Sequence, residues 1–203
     1  MDLFGRLQLR AGAPARRGGA EKGGCSDPVE ALVVDGEALG RSRGGLTSKL
    51  HLAVDGRGLP MAIGLTAGQA GDNPQVLALL DQVRVTRPAG GRPRQRPDRV
   101  IADRAYSHPS TRAALRARGI AFTSPEKTDQ IAHRKAKGSA GGRPRAFDAA
   151  MYAGRNVVER CFARLKQFRA LATRYAKRAA YYRAILTIAA TVLWLREDPQ
   201  DRP

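Results

Sequence analysis

A chain of 203 residues in which 36 Lys and Arg face 18 Asp and Glu carries a formal net charge of +18. That length suits one domain with room for a sizeable core, and the basic excess selects a polyanionic partner, nucleic acid first. A hydrophobic content of 42%, interspersed with the basic positions, argues against a tail-like basic protein.

Residues 1–30, rich in Gly, Ala and Arg with weak periodicity, are expected to form a poorly ordered basic arm. The folded domain is expected over 31–196, with 197–203 as a tail. Ala31–Asp35 is a short apolar run ending in Asp-Gly, a strand and turn. Gly40–Lys49 has Leu46 where a phosphate loop needs Lys, so it reads as a flexible turn carrying Arg41 and Arg43. Lys49–Val54 and Leu59–Leu65 flank Asp55-Gly56-Arg57-Gly58, a hairpin signal. A helix follows over roughly Asn73–Val85, then an exposed loop over Arg84–Arg99. Arg99–Ala102 is a short strand delivering Asp103. A helix from Pro109 or Ser110 to about Arg118 ends on Gly119, and Ile120–Thr123 is a further strand. Ala132–Arg145 reads as a basic, glycine-rich loop, and two or three helices finish the chain from Asp148. The alternation of elements predicts an α/β fold: a mixed sheet with helices on its faces and a helical C-terminus.

Cys25 and Cys161 lie far apart, and His51, His108 and His133 are scattered, so neither a disulfide framework nor a zinc site is expected. The start lacks the layout of a signal peptide. The longest apolar stretch, Ala184–Leu195, has twelve residues, too few to span a bilayer, and reads as a buried C-terminal helix. A soluble, cytoplasmic protein is expected.

Tyr152–Lys166 concentrates the chemistry. Glu159 is the only carboxylate between Asp148 and Glu197, in a segment crowded with Arg and Lys. On a helix Arg155, Glu159, Phe162 and Lys166 fall at i, i+4, i+7 and i+11 on one open face, with Val158, Leu165 and Ala172 on an adjacent inward stripe. Two readings follow: a basic surface helix whose Glu159 pairs with Arg155 or Lys166, or a metal-binding carboxylate among cations that hold a phosphodiester backbone. Asp103, at the C-terminal end of a strand, lies where open α/β sheets bind ligands, and it could equally be a cap or turn residue. Hard cations such as Mg²⁺ take carboxylate oxygens plus substrate phosphates. Two such ions, roughly 3.5–4 Å apart, can activate a water or 3′-hydroxyl and stabilise the leaving oxygen.

Four stretches, residues 40–51, 68–72, 96–106 and 156–169, together resemble bacterial insertion-sequence transposases of the Asp-Asp-Glu type. The most specific part is the spacing Tyr-x2-Arg-x3-Glu-x6-Lys, met by Tyr152, Arg155, Glu159 and Lys166. The resemblance covers about residues 40–195 and implies a ribonuclease-H-like catalytic domain within 31–196. It makes Asp103 the second catalytic Asp and Glu159 the catalytic Glu, holding Mg²⁺ or Mn²⁺, with Tyr152, Arg155 and Lys166 orienting transposon-end DNA. Double-stranded DNA, as element ends and target, is the implied partner, and a homodimer is a further expectation. The first Asp departs from the family pattern, which places it in a Val-Asp-Ser-Thr-like strand well upstream of residue 40. Asp35 stands only five residues before Gly40, and Asp2 is followed by Leu3-Phe4. The chain therefore reads as a truncated or frame-shifted copy that has lost its first strand, and weak or absent cleavage is expected, with a non-enzymatic DNA-binding remnant as the alternative.

Overall fold

The computed structural model describes residues 6–11, 15–16, 37–42, 45–87, 89–176 and 178–197. One mixed sheet contains β1 (Arg6–Ala11), β2 (Ala15–Arg16), β3 (Gly40–Ser42), β4 (Gly45–Val54), β5 (Pro60–Ala67), β6 (Arg99–Ala102) and β7 (Ala121–Thr123). Its five main strands run in the order β5-β4-β1-β6-β7. The first three are antiparallel neighbours, while β6 and β7 run parallel to β1. The short β2 and β3 pair with the outer half of β4 on opposite edges.

The central place of β1 corrects the sequence reading. Arg6–Ala11 falls inside the stretch expected to be an arm, yet it pairs with Val54–His51 on one side and Arg99–Ala102 on the other. Leu9 points into one core and is fully buried, while Gln8, on the opposite face, is 3% exposed. The alternation of side chains along a strand explains how a segment of mixed composition fills the middle of a sheet. Arg6–Ala11 thus fills the centre of the sheet. Ala31–Asp35 lies outside the described residues, as does Asp2.

Helices cover both faces. α1 (Gln75–Leu80) and α2 (Pro109–Ala117) pack with Leu9, Ala53, Ala62, Val100 and Ala102 on one face. On the other, α5 (Asn156–Lys166), α6 (Arg169–Ala172) and α7 (Ala179–Leu195) pack on Leu50, Leu52, Val54 and Leu59. Two further helices, α3 (Thr128–Ala136) and α4 (Ala149–Ala153), lie between β7 and α5 in the chain.

Several boundaries move. Gly40–Ser42 and Gly45–Thr47 are paired strands, Ser42 facing Gly45, so Arg41 stands on a strand rather than in a flexible turn; Arg43 lies outside the described residues. α1 is shorter than expected because Gln82 and Val83 donate to Leu79 and Leu80, three residues back, tightening the chain out of the helix. α3 occupies the start of the stretch read as a basic loop: Asp129 sits in its first turn and His133, Arg134 and Lys135 in its last, the polarity that suits a helix dipole. The Asp55–Gly58 hairpin stands as expected. Asp55, 3% exposed, accepts from the backbone N–H of Arg57 and Leu59 at 3.0 and 2.9 Å, and Gly58 takes φ +91°. α7 is buried along only one side, through Tyr182, Leu186, Ala189, Ala190 and Leu193; Tyr181, Ile188 and Leu195 are exposed. Among the described residues no helix is long and apolar enough to cross a membrane.

Candidate functional site

β6 delivers Asp103 to the end of the two parallel strands. Its carboxylate accepts from the Arg104 N–H at 2.6 Å, capping a single turn at Arg104–Tyr106. Tyr106 is buried in the core, and the Ser124 hydroxyl, just past β7, donates to the Asp103 carbonyl at 3.1 Å. Asp103 is therefore a cap, as one reading of the sequence allowed, on a backbone fixed from two sides.

Glu159 is carried by α5. α5 lies across β1 and β4, with Val158, Cys161, Phe162 and Leu165 buried. The Gln8 side-chain oxygen accepts from the Val158 N–H at 3.3 Å, and Gln8 stands beside Ile101 in the parallel register. Glu159 is one residue from Val158 and Asp103 two from Ile101. The two carboxylate-bearing segments thus flank the same Gln8–Ile101 pair.

Arg155 and Tyr152 complete the cluster. Arg155 forms an ion pair with Glu159 at 2.7 Å, and its guanidinium lies over the Tyr152 ring, 5.3 Å from the centroid. The Glu159–Arg155 pair of the simpler sequence reading is real. Among the described residues the buried Nε and Nη1 of Arg155 have no hydrogen-bond partner. Burial pushes the Tyr152 hydroxyl pKa up; Arg155 pulls against this and the Asp103 charge adds to it. Tyr152 is consequently a protonated donor at neutral pH, within electrostatic reach of Asp103.

The remaining expected residues divide. Lys166 is exposed, two turns or about 10 Å along the axis from Glu159, so it does not join the cluster. Phe162 is 7% exposed and belongs to the buried stripe with Val158, not to an open face with Glu159. Ala172 is exposed, because α5 stops at Lys166 and α6 buries Leu171 instead.

Asp103 and Glu159 offer the oxygen donors a hard divalent cation prefers. Among the described residues, however, no group of three or more His, Cys, Asp and Glu could hold a metal ion. Arg6–Ala11 contains no carboxylate, and Asp2 and Asp35 lie outside the described residues. The described donor set fits such an ion only in part.

The motifs at 40–51 and 68–72 prove to be packed on one another. A Cβ on Gly68 would fall 2.0 Å from the Thr47 hydroxyl, and one on Gly40 would collide with Gln69. Lys49 pairs with Asp72 at 2.8 Å and donates to the Ala70 carbonyl. These stretches build the β3–β4 end of the sheet, and at its inner end His51 reaches the Tyr106 hydroxyl, in the turn that Asp103 caps, at 3.5 Å. Gln8, by contrast, was not singled out in the sequence; the only signal is the alternation of Leu7 and Leu9 with polar neighbours.

Three antiparallel strands continued by two parallel ones, with helices on both faces, define a ribonuclease-H-like domain. The chain belongs to the family of transposase DDE domains, whose model matches residues 33–195. The match begins two residues before Asp35. The chain is 32% identical over 170 residues to a Burkholderia cepacia protein named as a transposase for insertion sequence element IS402, an overlap of 80% of this chain and 73% of that one. It is 30% identical over 151 residues to a Brucella ovis protein named as a transposase for element IS6501, covering 74% of this chain and 100% of that one.

Proposed function

We propose that this domain binds the ends of an insertion sequence, with Asp103 and Glu159 facing the scissile phosphate and Tyr152, Arg155 and Lys166 holding the DNA backbone. The observation that carries the reading is Arg155. It is fixed by Glu159 and Tyr152, yet two of its buried nitrogens, Nε and Nη1, have no partner among the described residues. Buried donors are costly to leave unmade, and a phosphate oxygen satisfies them with a charge-assisted bond. Tyr152, protonated, donates alongside. A divalent ion, when bound in such a domain, polarises a phosphoryl oxygen and activates the attacking hydroxyl.

A second reading, a DNA-binding remnant with little or no turnover, is favoured by the composition of β1. Its residues offer Gln8 where the flanking segments bring Asp103 and Glu159. Asp35 then decides activity.

The test is cleavage of element-end DNA with Mg²⁺ or Mn²⁺ by the wild type beside Asp35→Ala, Asp103→Ala and Glu159→Ala. Binding that is retained by all four proteins with no cleavage by any supports the remnant. Cleavage lost in all three variants makes Asp35 the third ligand and the domain a working transposase. Cleavage unaffected by Asp103→Ala or Glu159→Ala overturns the assignment of both carboxylates.

A further inference from the structure

Beyond the carboxylate cluster, an open cleft of about 990 Å³ runs beside β7, the edge strand of the sheet. One wall is α2, carrying Arg112 and Arg116; the other is the segment holding Arg143 and Arg145; Phe122 lies between. Among the described residues no acidic side chain lines it.

The cleft is built around a fixed cation. Arg112 donates to the carbonyls of Ser124 at 2.7 Å and Ser107 at 3.3 Å, and its guanidinium covers the Phe122 ring at 5.0 Å. Arg116 follows one turn along α2, so the two guanidiniums rise from the same helix face about 6 Å apart along the axis. Glu126 approaches Arg145 at 3.6 Å, but it also pairs with Arg134 at 3.3 Å. One carboxylate is thus shared by two arginines, and Arg116 and Arg143 have no ion-pair partner among the described residues. Crowding of this kind is tolerated where an anion brings the missing charge.

The cleft also touches the candidate site. Ser124 donates its hydroxyl to the Asp103 carbonyl, while its own carbonyl accepts from Arg112. One residue therefore joins the loop of Asp103 to the rear of the cleft. The volume exceeds what a single phosphate ion fills, and four guanidiniums in an open channel match a succession of phosphodiesters rather than one compact ligand.

We infer that the cleft of Arg112, Arg116, Arg143 and Arg145 is a second DNA-backbone site, which grips the duplex where it continues from Asp103 past the β7 edge. The inference rests on the DNA-binding function proposed above. It assigns to α2 and to residues 143–145 an anchoring role separate from the Tyr152–Arg155–Glu159 cluster.

The experiment compares Arg116→Glu/Arg143→Glu with the wild type, with Arg155→Ala, and with Arg87→Glu/Arg183→Glu, which makes the same charge change outside the cleft. Arg112 is left intact because its backbone bonds hold the loop, and circular dichroism checks that each variant is folded. Affinity for a long and a truncated element-end duplex is measured across a salt series. The cleft double variant is expected to lose at least tenfold in affinity for the long duplex. Its salt slope should fall by roughly two, one per lost phosphate contact, with little change on the truncated duplex. A loss no greater than that of the control pair, while Arg155→Ala still weakens binding, overturns the cleft and leaves the proposed function standing. Absence of DNA binding by the wild type overturns both.

Discussion

Gln8 and Val158 are separated by 150 positions in the chain and joined by one bond, from the Val158 N–H to the Gln8 side-chain oxygen at 3.3 Å. The centre of the sheet is thereby tied to the helix that carries Glu159, at a position 3% exposed. Gln8→Asp places a carboxylate there. A buried charge without a partner costs several kcal/mol, and a bound cation relieves the cost. In EDTA the variant is expected to melt below the wild type, and Mn²⁺ is expected to raise its Tm while leaving the wild type almost unmoved. Equal metal responses in the two proteins would show that Gln8 does not face a cation site.

His51 is fully buried on β4, its ring nitrogens 2.8 Å from the Thr66 hydroxyl and 3.5 Å from that of Tyr106. Burial pushes its pKa down to about 4 from an ordinary 6.5. The folded state therefore holds the ring neutral and the unfolded state binds the proton first. Stability from this residue is complete above about pH 6.5 and falls as the pH drops toward 4, by up to about 3 kcal/mol. Urea midpoints between pH 7.5 and 4.5 should fall steeply for the wild type and less for His51→Gln.

The hairpin between β4 and β5 depends on one side chain and one glycine. Asp55→Ala removes the acceptor for two backbone N–H groups and the partner of Arg57, and is expected to cost about 2–4 kcal/mol. Gly58→Ala meets both a φ of +91° and the Val157 side chain at 3.0 Å from the new Cβ, costing about 1–3 kcal/mol. Thermal unfolding checks both, and a neutral Gly58→Ala would place the hairpin away from α5.

DNA affinity should fall steeply with salt because each neutralised phosphate releases a counterion. Arg155→Ala is expected to lower the salt slope by roughly one and to weaken binding more than Lys166→Ala, since only Arg155 is held in place before the DNA arrives. Identical losses from both substitutions would remove that distinction.

What the sequence made legible was local. Asp55-Gly56 marked a hairpin, Arg99–Ala102 a strand ending on Asp103, and Gly119 the end of α2, each by chemistry within a few residues. β1 was missed because its partners, His51–Val54 and Arg99–Ala102, lie at least 40 positions away and only the assembled sheet selects it from an Arg- and Gly-rich segment. Phe162 was misplaced for a geometric reason: at i+7 from Arg155 and i+4 from Val158 it borders both faces, and burial against Leu50 and Leu52 decides. The pairing of Arg155 with Glu159 followed from spacing; the unpaired donors of Arg155 did not, because they depend on what surrounds the guanidinium.

The single Trp of the chain sits where α7 meets the hairpin: Trp194 donates to the Pro60 carbonyl at 2.9 Å, and the Arg57 guanidinium lies 5.4 Å from its ring centroid. Its fluorescence therefore reports one event, the docking of the last helix on the β4–β5 turn. Gly58 in that turn also abuts α5 beside Val157, so one turn touches both the last helix and the helix of Glu159. The protein carries its own optical probe, in a place where labelling would otherwise have to be engineered.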